Sequence, residues 1–401
     1  MDTELLTAAL DKRKLPAFRE RQILHAARRD FVGSWDAIST LPKALRAELA
    51  EEVPFSTVTV EHEERSRDGS IKLRLATADG FPLEAVLMRF DQPHARGTDK
   101  KTSRYTACLS SQSGCALACT FCATGSMGLG RNLTQYEILD QFLELAQRRV
   151  GNGDGRIDNV VMMGMGEPFH NYDNVMAAIH MLNSPDGPGL AARRIAISTV
   201  GWVPGIEKLA DEPIQVKLAL SLHAPNDQVR GGLMPVNRKF PIERVLQACR
   251  TYRTKTNRRI FVEYLMLDGV NDQPEHAKEL AHLLGAENGF HVNLIAYNPT
   301  GTDYVGSSDD VVRHFAAILE RKGVSASYRI SRARDISGAC GQLAAPVAAA
   351  KRAARAEKIA RMKAKDDAAK ATGITEREPA QTDGEKFEAA LQAAAAETAS
   401  A

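Results

Sequence analysis

The feature that most constrains this chain is a regular alternation of short apolar, β-branched runs with amphipathic helical segments between residues 104 and 343. The runs fall at 104–110, 157–163, 193–199, 214–222, 259–266, 290–296 and 324–331, with helical segments at 134–150, 172–182, 203–210, 241–255, 273–285 and 307–322. A parallel partner strand needs a crossover connection, usually a helix, so this alternation reads as a series of parallel βαβ units. Six or so such units can close into a barrel or most of one. A doubly wound sheet uses the same repeat, and periodicity alone does not separate the two.

The flanks differ in character. Residues 1–55 read as a small helical module: Phe18, Ile23, Leu24, Ala27 and Phe31 share a helical spacing, with Arg19, Arg21, Arg28 and Arg29 on other faces. A second helix follows Leu41 through Ala44, Leu45 and Leu49, so an amphipathic pair is expected, too small to stand alone. Residues 56–103 hold alternating strands in TVTVEHEE, SIKLRLATADG and PLEAVLMRF, with Asp-Gly turns at 68–69 and 79–80 and a polar linker from Gln92 to Ser103. The barrel-type repeat occupies 104–345. Residues 346–401 are Ala- and Lys-rich, with a charged helix expected over Ala348–Ala371 and a weakly ordered acidic end.

The net charge of +2 means that any nucleic-acid affinity must come from local basic patches. No run of about 18 apolar residues is present, and the N-terminus is of mixed charge, so neither a spanning helix nor a signal peptide is expected. The expected compartment is the cytoplasm. Of six cysteines, Cys108, Cys115, Cys119 and Cys122 crowd into fifteen residues while Cys249 and Cys340 stand alone. In a cytosolic chain such clustering points to metal or redox chemistry rather than a disulfide scaffold.

The strongest chemical signal is GCALACTFCATG, in which Cys115, Cys119 and Cys122 follow a C-x3-C-x2-C spacing directly after the first barrel-type strand. A 4Fe–4S cluster usually takes four thiolates, so three leave one iron open to a small molecule. The amino and carboxylate groups of S-adenosylmethionine can chelate that iron. A zinc site is the competing reading, with Cys108 as its fourth ligand. Gly164-Met165-Gly166-Glu167-Pro168 ends the second strand; its glycines allow close backbone approach and Glu167 can accept hydrogen bonds from an ammonium. Ser198 closes the third strand, Ser221, Leu222 and His223 the fourth, and Asn298 follows the sixth. Polar groups at successive strand C-termini converge on one mouth in a parallel barrel. Cys340, flanked by Gly338 and Gly341 after the last strand, should reach that mouth, either as a nucleophile or as an inert turn residue. Cys249 reads as a small buried hydrophobe.

Together these segments resemble the RlmN/Cfr family of radical S-adenosylmethionine RNA methyltransferases. The match runs from about residue 15 to 345, through FRERQIL, PLEAVLMRF, CLSSQSGCALACTFCATG, NVVMMGMGEPFHNYDNV, ISTVG, LSLHAPND, NLIAYNP and ACGQL. The resemblance implies an α/β fold: a partial (β/α)6 radical SAM barrel behind a small helical RNA-binding domain. It implies a cluster held by Cys115, Cys119 and Cys122, and a cofactor site that includes Gly166, Glu167, Ser198, Ser221, Leu222, His223 and Asn298.

The resemblance also implies the chemistry. Two S-adenosylmethionine molecules are used per turnover: one methylates Cys340, giving an S-methylcysteine, and the second is cleaved reductively at the cluster. Cys108 then releases the adduct through a transient disulfide with Cys340, and Glu84 is the proton acceptor. The product implied is adenosine methylated at carbon 2, at position 2503 of 23S rRNA and position 37 of tRNAs. Carbon-8 methylation of the same rRNA base, as in the Cfr branch, is the alternative. A zinc-stabilised, non-enzymatic RNA-binding protein is a third reading, which gives Cys340 no role. The expected partners are 23S rRNA, tRNA and an external, flavodoxin-like electron donor, with no membrane and a monomeric state.

Overall fold

The computed structural model describes residues 1–91, 103–151, 156–285, 289–329 and 331–344. The expected linker (Ser103 apart) and the tail from 346 lie outside these described residues. Three helices open the chain: α1 (Thr3–Lys12), α2 (Phe18–Arg28) and α3 (Lys43–Glu52). The expected pair is therefore a trio. α1 starts where the Asp2 carboxylate accepts from the amides of Glu4 and Leu5, which satisfies two orphan donors of the first turn. Leu6, Leu10, Ile23, Ile38, Leu49 and Val53 form a core of their own here, with Trp35 donating its indole N–H to the Val53 carbonyl at 2.8 Å. Each fully buried aliphatic side chain contributes about 1.5–3 kcal/mol.

Strands β1 (Val58–Arg65), β2 (Ile71–Thr77) and β3 (Pro82–Asp91) form an antiparallel meander that pairs antiparallel with β4 (Ser103–Cys108). A small hairpin, β5 (Gln112–Cys115) with β6 (Gly128–Asn132), precedes α4 (Gln135–Gly151). The repeat then continues as β7 (Asn159–Met162), α5 (Tyr172–Asn183), β8 (Ile195–Thr199), α6 (Val203–Ala210) and β9 (Lys217–Ser221). Helices α7 (Asp227–Leu233) and α8 (Ile242–Thr256) lead to β10 (Ile260–Met266), α9 (Pro274–Leu284), β11 (Phe290–Ala296), α10 (Asp309–Arg321) and β12 (Ser325–Arg329).

Strand order separates barrel from doubly wound sheet. From β4 through β7, β8, β9, β10 and β11 to β12 the neighbours follow the chain without reversal, all parallel. A doubly wound sheet must reverse at a switch point. Right-handed crossovers that always step the same way place every helix on one face, and the other face becomes the interior of a barrel. Leu218, Leu220, Val262, Tyr264, Val292 and Leu294 are fully buried in the core. The alternate positions Ser221, Glu263, Asn293 and Ser327 face the interior, in register across β9, β10, β11 and β12.

β12 pairs with β11 alone and β1 with β2 alone, so the barrel is open along one side. Irregular chain spans the opening. Residues 331–344 cross from the end of β12 to the β1–β2 turn, where Asp335 accepts from the Ser66 hydroxyl at 2.6 Å and the Arg67 amide at 3.0 Å. Asp68 accepts from the Ala333 amide at 2.9 Å, a reciprocal clasp. Among the described residues no helix is long and apolar enough to cross a membrane.

Candidate active site

The three-cysteine loop hangs between β5 and β6. That hairpin closes only because position 114 is glycine: its φ is +82°, and a Cβ there would lie 2.0 Å from the Gly128 carbonyl oxygen. The loop is fastened from several sides. The Thr120 amide donates to Leu233 O at 3.0 Å, the Thr300 hydroxyl to Phe121 O at 3.0 Å, and the Ala123 amide to Gly341 O at 2.8 Å. Cys115, Cys119 and Cys122 are free, partly exposed thiols that act electrostatically on one another. Burial raises all three, Cys115 to about 12, so thiolates here need a strong positive partner. No three His, Cys, Asp or Glu side chains among the described residues close on a single metal ion.

Cys340 lies on the chain that spans the barrel's open side. Its carbonyl accepts from Asn298 Nδ2 at 3.3 Å, and its neighbours Gly341 and Leu343 accept from Ala123 and the Thr124 hydroxyl, so this segment and the cysteine loop form one floor. The Cys340 side chain reaches solvent within the mouth, yet protein surrounds it and pushes its thiol up to about 11. Cys108, the last residue of β4, is buried and opposite Val86 on β3; desolvation raises its thiol far above the usual range, and Cys340 is the charge that adds to the shift. Glu84 is on the same face of β3 as Val86 and is 5% exposed. Its Oε2 accepts from the Ala344 amide at 2.7 Å, its Oε1 lies 3.8 Å from Lys72 Nζ, and burial raises its carboxyl. Cys108, Glu84 and the Cys340 segment therefore meet at one wall of the mouth.

The strand ends make the opposite wall. Gly166 has φ +98°, and a Cβ there would meet Gln112 Cβ at 2.6 Å. Glu167 ties two strand ends together: its carboxylate accepts from the Phe169 amide at 3.1 Å and the Val200 amide at 3.0 Å. Full burial pushes it up to about 7. Ser198 and Ser221 hydroxyls are 3.2 Å apart. The Leu222 side chain is wholly in the core, and its amide donates to Glu263 O at 3.1 Å, so only its backbone borders the mouth. His223 has φ +57°, packs edge-on to Phe121, and accepts the Leu265 amide at Nδ1 (3.0 Å). Burial lowers it to about 3, so the ring is neutral with its proton on Nε2. Asn298 donates from Nδ2 to the Ser331 hydroxyl at 3.0 Å as well as to Cys340, while its Oδ1 is buried without a partner.

The structure adds three residues that the sequence did not flag. Glu263, inside the apolar run IFVEYLM, faces the interior of the barrel 6% exposed. Arg230 is fully buried and reaches four acceptors: Asn237 Oδ1 at 2.7 Å and the carbonyls of Phe240, Leu222 and Val200, pinning the ends of β8 and β9. Asp335 anchors the Cys340 segment from a point 269 residues away in sequence. All six cysteines are free thiols, and the transient disulfide that the resemblance implies between Cys108 and Cys340 is not formed in this structure.

Residues 109–284 match the Radical SAM superfamily. The probable dual-specificity RNA methyltransferase RlmN of Heliobacterium modesticaldum is 43% identical over 342 residues, covering 85% of this chain and 87% of that protein. Its counterpart in Moorella thermoacetica is 44% identical over 332 residues, covering 81% and 90%. Among solved structures, a radical SAM methyltransferase from Sphaerobacter thermophilus superposes with a TM-score of 0.78 at 44% identity, covering 86% of this chain and 98% of that one.

Proposed function

Because the chain belongs to the RlmN family of radical SAM RNA methyltransferases, we propose that it methylates carbon 2 of adenosine, at position 2503 of 23S rRNA and position 37 of tRNAs, in the cytoplasm. Enzymes of this family use a 4Fe–4S cluster and S-adenosylmethionine. The residues present suit both groups. Three free, partly exposed thiols lie on one loop, and the buried Asn298 Oδ1 has no protein partner. In our reading Cys115, Cys119 and Cys122 hold the cluster, and Gly166, Glu167, Ser198, Ser221, the Leu222 backbone, His223 and Asn298 hold S-adenosylmethionine. Bound there, these groups supply the methyl and, with one electron from outside, the radical reactivity that an unreactive adenine carbon requires.

The chain's own residues divide the remaining work. Cys340 carries the carbon to be transferred. Glu84, buried and held at one oxygen by the Ala344 amide, takes the proton lost from the adenine ring carbon. Cys108 bonds to the Cys340 sulfur as the carbon–sulfur bond of the adduct breaks. An adenine that enters this mouth must leave its stack, which suits loops and single-stranded RNA, and Arg19, Arg21 and Arg29 near the N-terminus suit phosphate contacts. The observation that carries this reading is the junction of the Cys340 segment with the cysteine loop at Ala123 and Gly341. The test is expression in a host lacking its own enzyme, with mass mapping of rRNA and tRNA. A methyl on carbon 2 at both positions is expected; a carbon-8 methyl, or none, overturns the proposal.

A further inference from the structure

Lys72 is a buried lysine for which the proposed chemistry has so far no use, and a lysine is rarely buried unless it is paired. On β2 it stands in register with Glu64 of β1 on one side and Val86 of β3 on the other. Glu84, two residues before Val86, is therefore its diagonal neighbour on the same face of the meander. Lys72 Nζ lies 3.2 Å from Glu64 Oε1 and 3.8 Å from Glu84 Oε1. The side chains of Lys72 and Glu84 are 4% and 7% exposed and that of Glu64 is 34%, so the row runs from the wall of the mouth toward solvent. The charged groups acting on Glu84 are Lys72, Glu64 and Arg74. Arg74 is half exposed and lies 3.3 Å from Glu61, which leaves Lys72 as the buried cation of this set.

A carboxylate this deeply buried takes up a proton and becomes neutral unless a cation compensates its charge. A neutral Glu84 could not accept a proton from the adenine ring. Lys72 compensates from 3.8 Å, which is too far for a hydrogen bond, so the lone pairs of Glu84 Oε1 stay open. The other oxygen is held by the Ala344 amide at 2.7 Å, and the Ser110 hydroxyl donates to the Glu84 carbonyl at 2.6 Å, which fixes the backbone there. We propose that Lys72 is the positioning residue for Glu84: it keeps the carboxylate charged and Oε1 free to receive the adenine proton, while Glu64 holds the ammonium in place across the sheet. As that proton arrives, the electron pair of its C–H bond stays with the ring. The inference rests on the proposed role of Glu84 as proton acceptor.

The test follows single-turnover methyl transfer to a 23S rRNA fragment across pH, using full-length, cluster-containing protein already methylated on Cys340. In Lys72→Met the acidic limb of the rate profile should move up by about one to two pH units, the usual effect of losing an opposite charge at this range. The rate at pH 7 should then fall and recover as pH rises. Lys72→Arg keeps the charge and should restore most of the wild-type profile. Glu64→Gln removes a negative charge but leaves Lys72 an acceptor, so its limb should move the other way, to lower pH. Glu64 is partly exposed, and this variant decides the matter alone if Lys72→Met does not fold. Iron content, cleavage of S-adenosylmethionine and methylation of Cys340 should match wild type in all three. A limb that keeps its wild-type position in Lys72→Met, whatever the height of the profile, would make Lys72 a brace for the sheet and overturn the proposal. Glu84→Gln separates this from failure of the underlying reading. If Glu84→Gln transfers the methyl as fast as wild type, Glu84 is not the acceptor and Lys72 loses its role with it. If Glu84→Gln is slow while Lys72→Met keeps the wild-type profile, the inference about Lys72 falls alone.

Discussion

The amide of Ala123 donates to the carbonyl of Gly341 at 2.8 Å, joining the residue after Cys122 to the residue after Cys340. Two segments more than two hundred positions apart in sequence thereby share a floor, which in the proposed scheme places the methyl carrier beside the cluster. Their cysteines should still separate by function. Replacing Cys115, Cys119 and Cys122 together with alanine should abolish iron–sulfur absorbance and reductive cleavage of S-adenosylmethionine. Cys340→Ala should keep both and never take up a methyl label. Iron analysis and peptide mass spectrometry check this pair, and a full cluster in the triple variant would show that other residues ligate it.

Cys108 should matter only after the new carbon has joined the adenine. It is buried at the end of β4, within electrostatic reach of Cys340. Cys108→Ala should therefore be methylated normally on Cys340, attack RNA, and stall as a protein–RNA cross-link. Ribonuclease treatment should shrink the adduct to a small nucleotide remnant on Cys340, visible on a denaturing gel and by mass. Normal turnover, or a protein free of RNA, removes Cys108 from the mechanism.

The clasp across the open side of the barrel gives a pH-dependent expectation. Asp335 is held below the ordinary carboxylate range by the Ser66 hydroxyl and the Arg67 amide, and Asp68, despite burial, by the Ala333 and Ser70 amides. A carboxyl lowered in the folded state stabilises fully above its unfolded value, about 3.9, and the contribution is lost as pH falls through the folded value. Amide exchange in 331–344, taken relative to the intrinsic rate at each pH, should accelerate below about pH 4 in wild type. In Asp335→Ala it should already be fast at neutral pH, with cluster content intact and kcat lowered about tenfold by a less well-placed Cys340. Unchanged exchange in Asp335→Ala would show that the clasp does not hold this segment.

Much of this architecture was legible in the sequence because it is written in local periodicity. Six of the seven parallel strands hold short runs with buried residues, β12 being only partly buried, and six crossover helices show apolar faces, as in Val312, Phe315 and Leu319 of α10. α7 escaped because seven residues with Gly231 and Gly232 carry no helical period. The choice of an open barrel over a doubly wound sheet lies in strand order, which no single strand encodes. The strand-end polar residues were legible because strand termini were. Glu263 was not: one acid inside IFVEYLM disappears into an apolar run, and only its register with Ser221 and Asn293 shows where it faces. Arg230 and Asp335 act through contacts far apart in sequence, and the burial of Glu84 depends on the Cys340 segment, whose Ala344 amide reaches it from 260 positions away.

Asn298 offers a way to tell a ligand-binding residue from a structural one. Its Nδ2 makes two hydrogen bonds, to Cys340 O and the Ser331 hydroxyl, while its buried Oδ1 makes none. An unpaired buried acceptor costs about 1–3 kcal/mol, and an ordinary hydrogen bond contributes about 1 kcal/mol. Asn298→Ala removes both the two bonds and the unpaired oxygen, so these effects offset one another. Thermal stability without S-adenosylmethionine should stay within about 1 kcal/mol of wild type. S-adenosylmethionine affinity should fall about tenfold, since a hydrogen bond made only with the cofactor present is lost. Calorimetric unfolding and equilibrium binding on the same preparations check both. A variant that is clearly less stable yet binds S-adenosylmethionine as tightly as wild type would make Asn298 a brace for the Cys340 segment, and its unpaired oxygen no part of the cofactor site.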